Sequence, residues 1–133
     1  MMARTRVLIA DDHPSVRQHV SEMLQADYEI VGAVSDGLAA VDAAVVLRPD
    51  VVVLDISMPI LNGLEAAARL CEGGSPPRIV FLTVHQDPDF LDAARSVGAH
   101  GYVVKRTMNA DLLPAIKLVL AGGTAFPLPA AVD

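Results

Sequence analysis

The feature that most constrains the fold is a run of aliphatic residues that ends abruptly in an acid. Residues 51–54 read Val-Val-Val-Leu, a pattern typical of a strand buried on both faces of a parallel sheet. Asp55 follows at once, just beyond the carboxyl end of the strand, where open α/β sheets form their ligand crevice. Pro59 and Gly63 then predict a sharp turn into a helix. The pattern therefore predicts a carboxylate presented at the rim of a sheet.

The same alternation of apolar strand and helix repeats along the chain. Five strands, each followed by a helix, predict an α/β fold with a parallel sheet and right-handed crossovers. The predicted strands are residues 5–10, 28–34, 51–54, 78–83 and 101–105. Pro114 predicts that the fifth helix begins late, at Asp111, or is slightly kinked. Residues 124–133 are expected to be poorly ordered.

Composition narrows the class of protein. With 133 residues the chain is long enough for one domain with an aliphatic core and too short for two ordinary domains. A net charge of −6, without a basic run, argues against a surface that binds nucleic acid. Charged residues interrupt every apolar run before the roughly 18 residues that a membrane helix needs. The single cysteine, Cys71, cannot form an internal disulfide, and the expected location is the cytoplasm.

Polar and charged side chains end four of the predicted strands or directly follow them. In chain order they are Asp11 and Asp12, then Asp55, Thr83 and Lys105. Because the strands are predicted to be parallel, these groups share one edge of the sheet. Three neighbouring carboxylates repel one another, and a hard divalent cation such as Mg²⁺ relieves that repulsion. The oxygens of a phosphoryl group on Asp55 would contact the cation, the Lys105 ammonium and the Thr83 hydroxyl together.

On these residues the chain resembles a response-regulator receiver domain, from about residue 6 to residue 122. The shared motifs are Asp11-Asp12, Asp55-x-x-Met58-Pro59-x-x-x-Gly63, Thr83, Tyr102 and Lys105. The resemblance implies a doubly wound, flavodoxin-like and CheY-like fold, with five helices around a sheet of strand order 2-1-3-4-5. It also implies a receiver domain at residues 4–122. Residues 123–133 would then be a C-terminal tail or the start of a linker to an output domain.

The resemblance implies a chemistry as well. A sensor histidine kinase or a phosphotransfer protein would donate a phosphoryl group to Asp55 with the help of Mg²⁺. Asp12 would bind the ion directly and Asp11 through water, while Asp55 and the main-chain carbonyl of Ser57 would be further ligands. The domain would catalyse only its own phosphorylation and dephosphorylation, so no metabolic enzyme is expected.

Further roles concern the surroundings of the phosphoryl group. By resemblance, Lys105 would contact it, Thr83 would move to hydrogen-bond to it, and Tyr102 would turn inward. From position alone, Ser57 and His85 lie on the two loops that overhang the phosphoacceptor, so they should flank the path of a hydrolytic water. The His85 ring would block that water, activate it or point to solvent. Blocking is favoured, because nothing in the sequence offers a partner to orient the ring.

Two segments resemble receivers of the NarL/FixJ (LuxR-like) class. They are residues 10–14 and 101–105, and Arg106 stands where many receivers have a proline. Members of that class usually carry a C-terminal helix-turn-helix domain, which this chain lacks. The resemblance therefore implies control of transcription, with DNA contacted only through such a further domain. A homodimer on phosphorylation is a further expectation, and no membrane partner is expected.

Other interpretations use the same residues differently. A stand-alone receiver, or a protein-interaction module that works without phosphorylation, would have the same fold. A flavin-binding flavodoxin would need a hydroxyl- and glycine-rich loop after strand one, where this chain has acids. An aspartyl phosphohydrolase would need an Asp-x-Asp pattern, which Asp55-Ile56-Ser57 lacks. His13 and His85 suggest a Zn²⁺ or Ni²⁺ site, although Lys105 would be a poor neighbour for such an ion.

Overall fold

Five parallel strands place their carboxyl ends along one edge of a single sheet. The computed structural model describes residues 4–127. The elements are β1 (Arg6–Ala10), α1 (Pro14–Leu24), β2 (Glu29–Val34), α2 (Gly37–Leu47), β3 (Val51–Leu54), α3 (Gly63–Cys71), β4 (Arg78–Thr83), α4 (Pro88–Ser96), β5 (Gly101–Val104), a 3₁₀ turn (Lys105–Thr107) and α5 (Met108–Leu120). The strand order is β2-β1-β3-β4-β5 with every neighbouring pair parallel, so the predicted fold and order are confirmed.

The central strand β3 is buried on both faces. Val52 and Leu54 face the core layer that is packed by α2, α3 and α4. Val51 and Val53 face the opposite layer, which is packed by α1 and α5. A charge on either face would be buried in aliphatic side chains at a cost of several kcal/mol. Asp55, directly after the strand, is thus the first residue beyond β3 whose side chain has polar partners, the Ile56 N–H and the Lys105 ammonium.

The helix α5 excludes one of the two alternatives predicted from its proline, a late start or a slight kink. It begins at Met108, so the expected late start at Asp111 is wrong, and Pro114 lies inside the helix. The proline cannot donate a hydrogen bond to the carbonyl of Ala110. Both residues are exposed, so water can replace the lost bond. No helix within residues 4–127 is long and apolar enough to cross a membrane.

The chain after α5 returns to the sheet. The Ala125 N–H donates to the His100 carbonyl at 2.9 Å, and the Tyr102 N–H donates to the Ala125 carbonyl at 2.9 Å. Ala125 thereby pairs in parallel with Gly101 on the free edge of β5. The prediction of a poorly ordered tail is wrong for residues 124–127, and residues 128–133 lie outside the described part of the chain.

Candidate functional site

The structure brings the buried strand-end residues together. Lys105 Nζ lies 2.7 Å from Asp11 Oδ2 and 3.0 Å from Asp55 Oδ2. Asp11 and Asp55 are only 2% and 3% exposed, and Thr83 is fully buried at the end of β4. Two buried carboxylates therefore share one ammonium group, beside a hydroxyl on the neighbouring strand.

Asp12 and His13 extend this cluster toward solvent. His13 Nδ1 lies 3.0 Å from Asp12 Oδ1 and 3.2 Å from Asp11 Oδ1. One ligand atom from each of Asp11, Asp12, His13 and Asp55 lies within 4.8 Å of the others. Asp12 and His13 are exposed, so the cluster is open on their side. His85 is not part of it, and the structure does not join it with His13 in a metal site.

The donor set of this cluster fits Mg²⁺. Asp11 Oδ2 is buried, and its close contact is the ion pair with Lys105 at 2.7 Å. A bound cation would offset the repulsion between this carboxylate and its acidic neighbours. Three carboxylates around one ammonium leave an excess of negative charge. Oxygen donors with an open, solvent-facing side suit an ion that keeps several waters.

Burial and neighbouring charges control protonation in the site. Burial raises the pKa of Asp55, and this effect outweighs the opposing contact with Lys105. Burial by itself lowers the pKa of Lys105. The contacts with Asp11 and Asp55 together raise this pKa by more, so its net shift is upward. The lysine therefore keeps its positive charge. A cation bound next to Asp55 would favour its ionised form, which is the nucleophilic one.

The loop between Asp55 and α3 holds this carboxylate through the backbone. The Ile56 N–H donates to Asp55 Oδ1 at 2.7 Å, and the Gly63 N–H donates to the Ile56 carbonyl at 2.7 Å. A methyl group on Gly63 would overlap the main-chain oxygen of Asp55, so the close approach requires glycine. Asn62 and Glu65 form a capping box that fixes the start of α3.

Arg17 supports the other side of the site, and the sequence analysis missed it. Its Nη1 donates to the main-chain oxygen of Asp11 at 2.7 Å. Arg17 lies in the first turn of α1, directly after the loop that carries the acid pair. The sequence signal for this contact was a cation six positions after Asp11. Arginines on helix surfaces are too common for that signal to be specific.

A series of hydrogen bonds leads from the site toward β5. The His85 N–H donates to Thr83 Oγ1 at 3.3 Å, and the Tyr102 hydroxyl donates to the His85 carbonyl at 2.9 Å. Tyr102 is 2% exposed, so its ring lies inside the fold. Burial, with smaller effects of Asp87 and Asp55, raises the pKa of Tyr102 to about 12. The phenol therefore remains a donor at neutral pH.

The His85 ring has two partners that the sequence did not reveal. His85 Nε2 lies 2.7 Å from Ser57 Oγ, so the loops after β3 and β4 are joined across the site. The ring also stacks on Phe90, with centroids 4.1 Å apart and 14° between the planes. The half-buried ring is thus held in one orientation. Phe90 could not be identified from the sequence, because the contact depends on how α4 packs over the loop.

Fold and strand-end residues together describe a signalling domain of the receiver class. Residues 7–117 match the family model for the response regulator receiver domain, and the chain belongs to that family. Such domains are not metabolic enzymes. The chain is 41% identical over 117 residues to the transcriptional regulatory protein PdtaR of Mycobacterium tuberculosis. That match covers 87% of this chain and 57% of PdtaR, and the curated relatives are generally about twice the matched length.

Solved structures place the chain near the LuxR and NarL receivers. A two-component response regulator of the LuxR family from Aurantimonas sp. SI85-9A1 superposes with a TM-score of 0.87 at 33% identity, covering 92% of this chain and 89% of that one. The signal receiver domain of the putative response regulator NarL from Mycobacterium tuberculosis gives a TM-score of 0.86 at 29% identity, covering 91% and 99%. The predicted resemblance to this class is therefore confirmed.

Proposed function

We propose that Asp55 is the phosphoacceptor of this receiver domain and that a sensor histidine kinase or a phosphotransfer protein is the donor. The main support is the position of Asp55, which directly follows the central strand with Oδ2 held 3.0 Å from Lys105 Nζ. One carboxylate oxygen attacks the phosphorus of a phosphohistidine. The O–P bond forms as the N–P bond breaks, and the imidazole nitrogen leaves with the bonding electron pair.

The protein groups around Asp55 position the carboxylate and balance its charge. The Ile56 N–H fixes Asp55 Oδ1, which limits rotation of the carboxylate during attack. Lys105 is already charged and lies partly buried beside the acceptor, so it would stabilise the negative phosphoryl oxygens without a large rearrangement. Arg17 holds the backbone at Asp11 and keeps the second buried acid in place.

The acidic cluster is the proposed site of a Mg²⁺ ion. Asp12 and Asp55 would hold it directly, Asp11 through water, and the main-chain carbonyl of Ser57 would be a further ligand. When bound, the ion supplies positive charge against the phosphoryl oxygens. Support comes from the four clustered ligand atoms and from the two buried carboxylates that share a single ammonium group.

Thr83 and Tyr102 are the proposed switch. Thr83 ends the strand beside β3, and its hydroxyl would move to hydrogen-bond to the phosphoryl group. That movement would alter the acceptor of the His85 N–H, and His85 in turn accepts a hydrogen bond from Tyr102. The hydrogen bonds as they stand and the arrangement after the movement of Thr83 would be in equilibrium. A phosphoryl group shifts that equilibrium only by its differential affinity for the two arrangements.

Ser57 and His85 are proposed to control how long the phosphoryl group survives. Their side chains meet at 2.7 Å across the two loops that overhang Asp55. With Nε2 engaged by Ser57 and the ring stacked on Phe90, His85 is better placed to obstruct a water than to deprotonate it. We therefore propose the blocking role.

The output of the whole protein is proposed from its relatives. Several of them are transcriptional regulators, and this chain spans about half their length. We propose that residues 4–122 form the receiver domain, that residues 123–133 lead toward an output region, and that phosphorylation promotes a homodimer. DNA would be contacted by a separate helix-turn-helix domain, and the protein would act in the cytoplasm. A stand-alone receiver is the alternative.

The phosphoacceptor assignment is tested by labelling the chain with acetyl phosphate and Mg²⁺ and measuring its intact mass. The parent should gain one phosphoryl group, and Asp55→Asn should gain none, because the amide keeps the shape of the side chain without a nucleophilic oxygen. Asp50→Asn, at an exposed acid at the opposite end of β3, is the matched control and should be labelled like the parent. Labelling of Asp55→Asn equal to the parent would refute the assignment.

A further inference from the structure

Residues 124–127, here called the tail strand, lie beside the outer edge of β5, where Ala125 forms an isolated parallel bridge with Gly101. An edge strand exposes unpaired main-chain groups that readily accept another strand. Here the tail strand pairs with these main-chain groups, since Ala125 hydrogen-bonds to the main chain of both His100 and Tyr102 at 2.9 Å. These two main-chain bonds hold Ala125 on the strand edge.

Side chains add to this contact. The Phe126 ring packs against the Tyr102 ring, with centroids 6.4 Å apart and 28° between the planes. On α4, the guanidinium of Arg95 lies over Phe126, 4.6 Å from the ring centroid. Aromatic and cation–π contacts of this kind stabilise the docked ring beyond the burial of its surface. The tail strand is therefore docked by its backbone on β5 and by its aromatic ring on α4 and Tyr102.

Tyr102 contacts the tail strand and the candidate site at the same time. Its N–H and ring meet Ala125 and Phe126, whereas its hydroxyl donates to the His85 carbonyl at 2.9 Å. His85 in turn bonds to Thr83 through its N–H and to Ser57 through its ring. A displacement of Tyr102 cannot leave both sets of contacts unchanged.

We propose that the tail strand is a latch whose docking on β5 is thermodynamically coupled to phosphorylation of Asp55 through Tyr102. The proposal rests on the proposed function and adds a role for residues 124–127. The docked Phe126 packs on Tyr102 in its buried position, and the resemblance to receiver domains implies this inward position for the phosphorylated state. Phosphorylation therefore tightens the latch, and by reciprocity the docked latch favours the phosphorylated state by the same factor.

Amide hydrogen exchange on the full 133-residue chain measures the latch directly. The probes are the amides of Tyr102 and Ala125, whose hydrogen bonds exist only while the tail strand is docked. The amide of Glu29, which bonds to Thr5 at the far side of the sheet, is the reference for changes that do not involve the tail strand. Mg²⁺ with BeF₃⁻ serves as the phosphoryl mimic. We expect it to slow exchange at Tyr102 and Ala125 several-fold more than at Glu29.

Two variants separate coupling from simple packing. Phe126→Ala should speed exchange of both probe amides about tenfold through loss of the aromatic and cation–π contacts, and should weaken binding of BeF₃⁻. Tyr102→Phe keeps the ring against Phe126 but loses the hydroxyl bond to His85. Without BeF₃⁻, this variant should exchange the Tyr102 and Ala125 amides as slowly as the parent. With BeF₃⁻, it should lose the additional slowing. Thr124→Ala, at an exposed tail residue, is the control and should behave like the parent.

The possible failures are distinguishable. If BeF₃⁻ shifts the amide resonances of Ile56 and Thr83 but leaves exchange at Tyr102 and Ala125 unchanged, the latch is refuted and the phosphoacceptor assignment stands. If BeF₃⁻ shifts none of these resonances in the presence of Mg²⁺, the proposed function fails and the latch fails with it. An undiminished BeF₃⁻ response in Tyr102→Phe would refute Tyr102 as the link.

Discussion

Two halves of the site are held by different kinds of interaction. The charged half consists of Asp11, Asp55 and Lys105, each directly after the end of a strand and held by ion pairs. The main-chain bond from Gly63 to Ile56 supports Asp55 from the loop. The aromatic half consists of side chains that meet through the loop after β4 by single hydrogen bonds and ring contacts: Thr83, His85, Phe90, Tyr102 and Phe126.

The difference indicates which half can respond to a ligand. Each neutral hydrogen bond in the aromatic half contributes only on the order of 1 kcal/mol, so a modest differential affinity can rearrange it. In the charged half, moving one carboxylate away from Lys105 would leave a buried charge without a partner, which costs about 3–5 kcal/mol. The charged half is therefore suited to chemistry, and the aromatic half is suited to signalling.

The largest expected effect concerns the backbone of the charged half. Gly63→Ala should lower the free energy of unfolding by about 3 kcal/mol, because its methyl group overlaps the Asp55 carbonyl oxygen. Gly74→Ala is the control, since a methyl group there meets no atom within 4 Å, and its effect should stay within about 0.5 kcal/mol. Urea denaturation measures both variants. Equal stabilities would show that the charged half is not fixed by the backbone.

The next effect concerns the cation. At a Mg²⁺ concentration ten times its dissociation constant, the parent should gain about 1.4 kcal/mol of stability, since the ion binds only the folded state. Asp12→Ala should weaken this gain because it removes an exposed ligand from the cluster. Asp42→Ala, at an exposed acid on α2, is the matched control. Thermal melting with and without Mg²⁺ measures the effect, and an equal shift in parent and Asp12→Ala would contradict the ligand assignment.

A smaller effect, on a rate, is expected in the aromatic half. If the His85 ring obstructs the hydrolytic water, His85→Ala should lose its phosphoryl group several-fold faster than the parent. Ser57→Ala should change the rate in the same direction but less, because it removes only one of the two contacts that orient the ring. Decay of labelled protein measures the rates, with the exposed Gln86→Ala as control. Slower decay in His85→Ala would indicate that the ring activates water instead.

The smallest expected effect is a pH dependence at the edge where the tail strand docks. His100 Nδ1 accepts a hydrogen bond from the Ile79 N–H at 3.1 Å, and burial, with the nearby Arg78, lowers the pKa of His100. The folded state therefore binds fewer protons than the unfolded state, so stability should fall as pH drops below about 6.5.

His100→Asn keeps an acceptor for the Ile79 N–H without a group that titrates in this range. Denaturation between about pH 5 and pH 7 should show a flatter dependence in this variant than in the parent. His19→Asn, at a histidine on α1, is the control and should retain the dependence of the parent. An equally steep loss of stability in His100→Asn would remove His100 as the cause.

The fold and the charged half could be predicted because their signals are local in the sequence. Strand periodicity identified β3, and an acid directly after a buried strand has to lie at the sheet edge. Parallel pairing then brings the residues after β1, β3 and β5 together without knowledge of any side-chain packing. A local prediction that failed, the late start of α5, treated Pro114 as a boundary, whereas the exposed carbonyl of Ala110 can use water instead.

The amino-acid sequence was enough to predict the α/β class, the strand order through the family resemblance, and which carboxylates and which lysine stand at the strand ends. The partners of His85 and the docking of residues 124–127 became visible only in the folded chain. These contacts join loops, a helix face and a strand edge that lie far apart in the chain, so no periodicity or spacing encodes them. Their geometry follows from how α4 packs beside β5, where Arg95, Tyr102 and Phe126 come into contact.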